Sequence, residues 1–322
     1  MNAFEYSPRD ACICGATLDA SLARVVKGYP PGEVSFVRCE SCGSWCQSPR
    51  ITAQSLARWV ESPAYFGSRG APGAAYADYF ADEPQRLREA EYRWRRMLRR
   101  VAPPGSKVLE IGCATGSLLR VLRDHGCEVT GIDLSRKFAD FARSEYALEV
   151  VQGEFLVCDL GARRFDLILL LGTFCNLPRL DESLAKMRAL LSRQGALVFN
   201  FPDAAHWIAR AYGCRHWMFA PSVDVFPTRQ GCESALRNAG LRLRSMRTDR
   251  QRPTLRKLLK HARMEPLLGT AARLGMEHLT LPLDLPVPGV RLARAMVAML
   301  APEVAELRHP AQDEIAHPGE LR

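Results

Sequence analysis

The sequence predicts an α/β protein whose core is a parallel β-sheet flanked by helices. In the stretch VLEIGCATGSLLRVL (108–122), an apolar run leads into a glycine turn, and an apolar pattern with helical spacing follows. A second apolar run, FDLILLLGTF (165–174), is too short to span a membrane and is typical of a buried strand. With 47% hydrophobic and 25% charged residues, the composition is that of an ordinary globular protein.

The first stretch and the residues after it predict a βαβ unit. Residues 107–111 form its first strand, 117–125 its helix and 128–133 its second strand, and Gly126 ends the helix. The turn at 112–116 lacks the G-x-G-x-x-G spacing of a dinucleotide-binding turn, and it also lacks the Lys-Ser/Thr ending of a phosphate loop. The turn is therefore not expected to bind a phosphate.

Two acidic residues indicate what the unit binds instead. Glu110 lies near the carboxyl end of the first strand, where open α/β sheets bind ligands, and a carboxylate there favours an ammonium or sulfonium over a pyrophosphate. Asp133 ends the second strand, at the distance from Gly112 at which a carboxylate accepts hydrogen bonds from both ribose hydroxyls. A ligand with a cationic amino-acid end and a nucleoside end is S-adenosylmethionine.

The order of motifs along the chain resembles that of the class I S-adenosylmethionine-dependent methyltransferases. After VLEIGCATGSLL, the matching segments are VTGIDLS (129–135), VQGEF (151–155), FDLILLLGTFCNLP (165–178), LLSRQGALVFNFPD (190–203) and GCESALRNAGLRLRSM (231–246). The resemblance covers residues 105–247 and implies a Rossmann-like, seven-stranded sheet.

The resemblance also implies which residues bind the cofactor. They are Glu110, Gly112 and Gly116 for the methionine part, Asp133 for the ribose, Glu154 and Phe155 for the adenine, and Gly172 and Thr173 beside the methyl group. Ala114 departs from the family pattern, which more often has glycine at this position. Since alanine adds only a methyl group, we expect a slightly tighter turn that still binds the cofactor, provided that the backbone needs no positive φ.

Cysteines are concentrated at the start of the chain. Of eleven cysteines, five fall in the first 46 residues. The N-terminus shows neither the basic nor the apolar segment of a secretory signal, which predicts a cytoplasmic protein whose cysteines are thiols or metal ligands rather than disulfides.

The spacing of these cysteines predicts a zinc ribbon. Cys39-x2-Cys42-Gly has knuckle spacing, and CICG (12–15) resembles its partner although it is Cys-x-Cys. Tetrahedral zinc takes four ligands. Cys14, Cys39 and Cys42 are the preferred ligands, and either Cys12 or Cys46 completes the set. Of these two, Cys12 is the predicted fourth ligand.

A zinc ribbon before a methyltransferase core resembles a bacterial subgroup whose members often modify sugars, polysaccharide precursors or natural products. The segment CQSPRITAQSLARWVESPAYF (46–66) is similar to the one that follows the second knuckle in that subgroup. The resemblance implies a structural metal, because an all-thiolate ligand set leaves no open position for chemistry.

The predicted organisation has four parts. They are a zinc-ribbon module (1–52), a helical linker or lid (53–104), the methyltransferase core (105–247) and a C-terminal extension (248–322). The extension holds a basic amphipathic stretch at 253–275 and an apolar one at 290–301, which predict a helical cover over the sheet or the substrate pocket. The tail after Glu306 is predicted to be disordered.

A general base is harder to assign from the sequence. The subgroup often has Glu-His after the fourth strand, where this chain has Cys175-Asn176, and its histidine before the penultimate helix corresponds to Val223. The substitute candidates for a catalytic residue are Asp203, His206 and His216.

Three functions are consistent with these observations. The favoured one is a methyltransferase that acts on an oxygen, or a carbon, of a sugar or other small metabolite. A net charge of +9 allows an RNA methyltransferase, but the arginines of 84–100 lie opposite an apolar helical face, as on a solvated surface. The segment after the fourth strand also lacks the Pro-Pro-aromatic and Pro-Cys signatures of RNA base methylation. The third function is cofactor binding without catalysis. The sequence leaves the oligomeric state undetermined.

Overall fold

The computed structural model describes residues 4–19, 24–29, 32–62, 79–80, 82–216, 218–251 and 285–297. The strands within them are β1 (Tyr6–Ser7), β2 (Arg24–Tyr29), β3 (Gly32–Arg38), β4 (Trp45–Gln47), β5 (Arg50–Ile51), β6 (Lys107–Ile111), β7 (Glu128–Asp133), β8 (Val150–Gln152), β9 (Phe165–Leu170), β10 (Leu191–Pro202), β11 (Val225–Phe226), β12 (Leu241–Gln251) and β13 (Leu285–Val297). The α-helices are α1 (Ala53–Val60), α2 (Glu83–Arg96), α3 (Ser117–Asp124), α4 (Arg136–Tyr146), α5 (Leu180–Leu190), α6 (Trp207–Tyr212) and α7 (Arg229–Asn238). None of these helices combines the length and the apolar character that crossing a membrane requires.

The central sheet has the strand order β12-β13-β10-β9-β6-β7-β8 in the described residues. From β10 to β8 the neighbouring strands are parallel, and β13 runs antiparallel to both of its neighbours. Strand β6, helix α3 and strand β7 form the predicted βαβ unit. The predicted α/β, Rossmann-like fold with a mostly parallel sheet is confirmed.

The prediction of a helical C-terminal extension is wrong for residues 285–297. They form β13, which lies between β10 and β12, so that Ala295 is in register with Leu197 on one side and with Leu243 on the other. An apolar run of this length fits either a helix or a buried strand, and here hydrogen bonding to strands on both sides determines the outcome. The amphipathic stretch 253–275 and the tail after Glu306 lie outside the described residues.

Helix α2 carries the basic segment and has the predicted apolar face. Its residues Ala90 and Trp94 are buried, whereas the Arg95 side chain is 73% exposed. Arg93 is an exception, because its guanidinium lies 3.5 Å from the buried carboxylate of Asp249 on β12. The arginines of this helix are thus mostly a solvated face, with one inward ion pair to the sheet.

The N-terminal module shares a sheet with the core. Its four-stranded sheet has the order β11-β4-β3-β2, and β11 comes from the segment between α6 and α7. Next to β11, the buried Asp224 carboxylate lies 2.9 Å from the Arg9 guanidinium and 2.7 Å from that of Arg50. Pairing of this kind satisfies charges that would be costly to bury alone, so the module is anchored on the core.

Candidate cofactor cleft and thiol cluster

The glycine turn after β6 brings two loops into close contact. Gly112 has a φ of +74°, and a Cβ atom at this position would overlap the Thr173 side chain in the loop after β9. Glycine is therefore required here both by the backbone conformation and by the approach of the second loop. The two loops together border the carboxyl ends of the parallel strands.

Ala114 occupies the centre of this turn in a left-handed conformation. Its φ is +49°, so the proviso that the backbone needs no positive φ is not met. Its amide donates a hydrogen bond of 2.8 Å to the Asp133 carboxylate. The turn accepts the strain of an L-residue because this bond and the neighbouring glycines fix the chain.

Relief of this strain can be measured. We expect Ala114→Gly to raise the free energy of unfolding by about 1 kcal/mol, because glycine adopts positive φ without a Cβ clash. Ala57→Gly, within helix α1, is the control and should lower the free energy of unfolding by about 1 kcal/mol. Chemical denaturation measures both. If Ala114→Gly proved as destabilising as Ala57→Gly, the left-handed conformation at residue 114 would be incorrect.

The Asp133 carboxylate, at the end of β7, is bonded to the glycine turn and to the segment that follows β7. Its carboxylate accepts hydrogen bonds from the amides of Ala114 (2.8 Å) and Ser135 (2.9 Å), and the residue is only 9% exposed. Burial raises the pKa of Asp133 to about 6, although the two backbone hydrogen bonds oppose this shift. The carboxylate is therefore rigidly held, with lone pairs left for a ligand.

A cleft opens over these strand ends. Of the predicted cofactor residues, its lining contains Gly112, Ala114, Asp133, Glu154, Phe155, Gly172 and Thr173. Glu110 and Gly116 are not in the lining. Sequence reasoning did not identify other residues of the lining, which include Ala53, Leu56, Val60, Tyr79, Phe138, Asn176 and Ser222. The helical spacing of Ala53, Leu56 and Val60 was a signal for the part that belongs to α1.

The segment predicted to flank the adenine is held in place by a half-buried lysine. The Lys186 ammonium donates hydrogen bonds to the carbonyls of Phe155 (2.7 Å), Leu156 (3.0 Å) and Cys158 (2.7 Å). Phe155 is 2% exposed, and Glu154 lies 3.7 Å from the Arg179 guanidinium. These contacts fix one end of the cleft in the absence of a ligand.

Glu110 is a buried acid near the cleft with an unused oxygen. Its Oε2 atom has no hydrogen-bond partner among the described residues, and the residue is only 5% exposed on β6, which pairs with β7 and β9. Burial, with a smaller contribution from the charge of Asp133, raises the pKa of Glu110 to about 8, and Arg93 opposes this shift. A cation bound nearby would favour the ionised form.

The pH dependence of cofactor binding follows from this shift. Below about pH 8 Glu110 is protonated in the free protein, so binding of a cationic ligand should release a proton. The affinity for this ligand should therefore rise by up to about tenfold per pH unit between about pH 6 and about pH 8. The raised pKa also means that the contribution of Glu110 to folding stability is full below its ordinary pKa and is lost as the pH rises through about 8.

Calorimetric titration with S-adenosylhomocysteine in buffers of different ionisation enthalpy measures this proton release. The isosteric Glu110→Gln variant should release fewer protons and have a flatter pH profile, and the residual slope reports Asp133. An unchanged profile in Glu110→Gln would show that this carboxyl is not linked to binding.

Four cysteine sulfurs form a second cluster, in the N-terminal module. The Sγ atoms of Cys12, Cys14, Cys39 and Cys42 all lie within 4.8 Å of one another. The Cys12–Cys42 and Cys14–Cys39 separations are 3.5 and 3.8 Å. A zinc–sulfur bond of about 2.3 Å gives a tetrahedral edge of about 3.8 Å, so this arrangement fits one tetrahedral ion.

Cys46 lies beside this cluster but outside the four-sulfur group. Its Sγ atom is 3.7 Å from that of Cys12, and its side chain is fully buried. Of the two alternatives for a fourth ligand, Cys12 belongs to the four-sulfur group and Cys46 does not.

Comparison with known proteins identifies the domain. A family model described as "Methyltransferase domain" matches residues 86–246, half of the chain. The chain belongs to this methyltransferase-domain family. The matched range contains β6 to β10, the glycine turn and Asp133, and so includes most of the cleft.

Named relatives match shorter parts of the methyltransferase domain. The malonyl-[acyl-carrier protein] O-methyltransferase of Enterobacter lignolyticus is 31% identical over 140 residues, 42% of this chain and 54% of the relative. The ubiquinone biosynthesis O-methyltransferase of Coxiella burnetii is 29% identical over 101 residues, 30% of this chain and 43% of the relative. The chain spans about half the length of the curated relatives it matches.

A solved structure with a similar chain is the magnesium protoporphyrin IX methyltransferase of Synechocystis with bound S-adenosylhomocysteine. The identity is 12%, the TM-score is 0.47, and the match covers 76% of this chain and 99% of that one.

The three predicted catalytic candidates do not line the cleft of the methyltransferase domain. Asp203 accepts hydrogen bonds from the Ala205 amide (3.0 Å) and from Arg291 Nε on β13 (3.1 Å). His206 caps helix α6, where its Nδ1 accepts a bond of 3.3 Å from the Ile208 amide. Both side chains therefore have a local structural partner.

His216 is a buried histidine in the segment before β11. Its ring stacks on Phe226 with a centroid distance of 4.7 Å, and its Nδ1 accepts a bond of 3.2 Å from the Met218 amide. Burial, assisted by the charge of Lys27, lowers the pKa of His216 to about 4. It is thus a neutral packing residue at neutral pH.

Proposed function

We propose that this protein transfers a methyl group from S-adenosylmethionine to an oxygen atom of a small molecule, such as a sugar, a polysaccharide precursor or a natural-product intermediate. The observation that carries the proposal is the fixed Asp133 carboxylate at the end of β7, in a cleft bordered by the glycine turn. The two curated relatives named above are both O-methyltransferases, which supports oxygen as the acceptor atom.

The lining of the cleft fits each part of this cofactor. Asp133 would accept hydrogen bonds from the ribose hydroxyls, and Phe155 would pack against the adenine. The glycine turn admits the methionine part close to the backbone, while the unpaired oxygen of Glu110 supplies negative charge for its cationic groups. When bound, the cofactor supplies an electrophilic methyl group for in-line displacement.

The chain's own part in the reaction is to orient the acceptor and exclude water. Thr173, Asn176 and Ser222 line the cleft and offer hydroxyl and amide groups that can hold a polar acceptor. Leu56 and Val60 of α1, together with Tyr79, add apolar surface to the same lining. Alignment and desolvation of this kind can supply much of the rate enhancement of a methyl transfer.

The proposal assigns no catalytic role to Asp203, His206 or His216. Both carboxylate oxygens of Asp203 and the Nδ1 atom of each histidine are engaged in the local contacts described above, and none of the three residues lines the cleft.

The proposed metal is a structural zinc ion bound by Cys12, Cys14, Cys39 and Cys42. The support is the fit of the four sulfurs to a tetrahedron. Four thiolates would complete the coordination shell, so the ion would stabilise the N-terminal module and take no part in methyl transfer.

The test is S-adenosylhomocysteine production by purified, full-length protein with panels of acceptors. We expect turnover with a sugar, carboxylate or phenolic acceptor and none with bulk RNA, and Ser222→Ala should reduce turnover with little effect on cofactor binding. Turnover with RNA alone would support the RNA methyltransferase instead. Tight cofactor binding without turnover on any acceptor panel would support a binding protein without catalysis.

A further inference from the structure

A second cleft lies between the N-terminal four-stranded sheet and helices α6 and α7. It shares no described lining residue with the cofactor cleft. Its lining includes the aromatic residues Trp45 and Phe219 and the charged residues Arg38, Arg210, Arg229 and Glu233.

The charges in this second cleft are unbalanced. Arg229 is paired with Glu233, with 2.7 Å between Nε and Oε1. Arg38, at the end of β3, and Arg210, on α6, make no ion pair or side-chain hydrogen bond within the described part of the chain. Two guanidinium groups that have no acidic partner among the described residues, in one concave surface, create a positive potential that attracts an anion.

The same cleft contains aromatic surface. Trp45 is half-buried and contacts Phe219 edge to face, with 5.4 Å between ring centroids. This contact fixes the indole without burying it completely. A half-exposed aromatic ring next to cationic groups suits a ligand with a flat organic group and negative charge.

We infer that the second cleft is a binding site for a phosphate ester with a flat organic group. Each guanidinium presents paired N–H donors that match the oxygens of a phosphate, and the indole provides a surface for the organic part. A plain carboxylate would use the charges but not the aromatic surface. This site is independent of the proposed methyl transfer, because none of its described residues lines the cofactor cleft.

One chain segment, residues 219–226, contributes to the lining of both clefts. Phe219 and Phe226 line the second cleft, and Ser222 between them lines the cofactor cleft. The segment 219–226 therefore contributes different residues to the two clefts.

Calorimetric titration of the full-length, zinc-loaded protein with UDP as the probe tests the inference. At low ionic strength we expect UDP to bind at least about tenfold more tightly than either pyrophosphate or uridine, because each of these offers only one half of the recognition. Arg38→Gln and Arg210→Gln should each weaken UDP binding by about tenfold or more. The control is Arg237→Gln, an exposed arginine on α7 that lines neither cleft, and it should bind UDP like the wild type.

Several outcomes would overturn the inference. They are failure of the wild-type protein to bind UDP, equal weakening by Arg237→Gln, or binding of pyrophosphate as tight as that of UDP. Binding of a short single-stranded RNA without any binding of UDP would indicate a nucleic-acid surface instead. Titration of the same preparations with S-adenosylhomocysteine reports the cofactor cleft separately, so failure of the proposed function would leave the UDP result intact.

Discussion

Asp133→Asn is expected to weaken binding of S-adenosylhomocysteine by at least about 10²-fold. The carboxylate is predicted to accept two hydrogen bonds from the ribose, and a bond to a charged group contributes about 1.5–3 kcal/mol. The amide also places an N–H₂ group where the Ala114 or Ser135 amide now donates, so one of these two backbone bonds is lost. Both effects weaken the same site.

Calorimetry measures the affinity, and thermal unfolding separates binding from folding. The matched control is Asp140→Asn on helix α4, because the Asp140 side chain is 61% exposed and its one ion pair among the described residues is with Arg143, at 3.0 Å. It should leave both affinity and melting temperature unchanged. If Asp133→Asn bound the ligand as tightly as Asp140→Asn, the ribose would not contact Asp133 and the cofactor assignment would fail.

The βαβ unit could be predicted from the sequence because its signals are local. An apolar run, a glycine turn and an amphipathic helix specify β6, α3 and their connection without reference to the rest of the chain. Asp133 could be selected as a ligand residue for the same reason, since its distance from the turn is fixed by one helix and one strand.

Strand β13 could not be predicted in this way. Residues 290–297 fit a helix as well as a strand, and only pairing with β10 and β12, both distant along the chain, selects the strand. The left-handed Ala114 was missed for a related reason, because a single residue type does not reveal the sign of φ.

The part of the cleft that α1 lines is likewise a product of tertiary structure. Helix α1 reaches the cleft because the N-terminal module docks on the core through Asp224, Arg9 and Arg50. Sequence spacing indicates which face of α1 is apolar, but it does not indicate what this face covers. The histidines are a related case, since the sequence does not indicate that His206 caps helix α6 or that His216 stacks on Phe226.

Loss of one cysteine ligand is expected to have the largest effect on the fold. Binding of zinc to a structural site provides about 10–16 kcal/mol in small zinc domains, so Cys42→Ser should abolish stoichiometric zinc and unfold the N-terminal module. The effect should extend into the core, because the Thr228 hydroxyl that caps α7 donates a hydrogen bond of 2.6 Å to the Cys42 carbonyl. Strand β11, which also belongs to the core, would lose its pairing with β4.

The cofactor cleft should respond as well. Gln47 on β4 donates hydrogen bonds to the carbonyls of Pro221 (3.2 Å) and Val223 (3.1 Å), and Ser222 between them lines the cleft. We therefore expect Cys42→Ser, or removal of zinc by a chelator, to lower both the melting temperature and the affinity for S-adenosylhomocysteine. A loss confined to the N-terminal module would show that these contacts do not connect it to the cleft.

Cys46→Ala is the control that tests the ligand set. This sulfur is 3.7 Å from Cys12 but lies outside the four-sulfur group, so the variant should retain one zinc ion per chain and lose only packing energy, about 1–2 kcal/mol. Elemental analysis of both variants distinguishes the alternatives. If Cys42→Ser retained zinc and Cys46→Ala lost it, Cys46 would be the ligand and Cys42 would not. If the wild-type protein contained no zinc, the cluster would be a set of packed thiols.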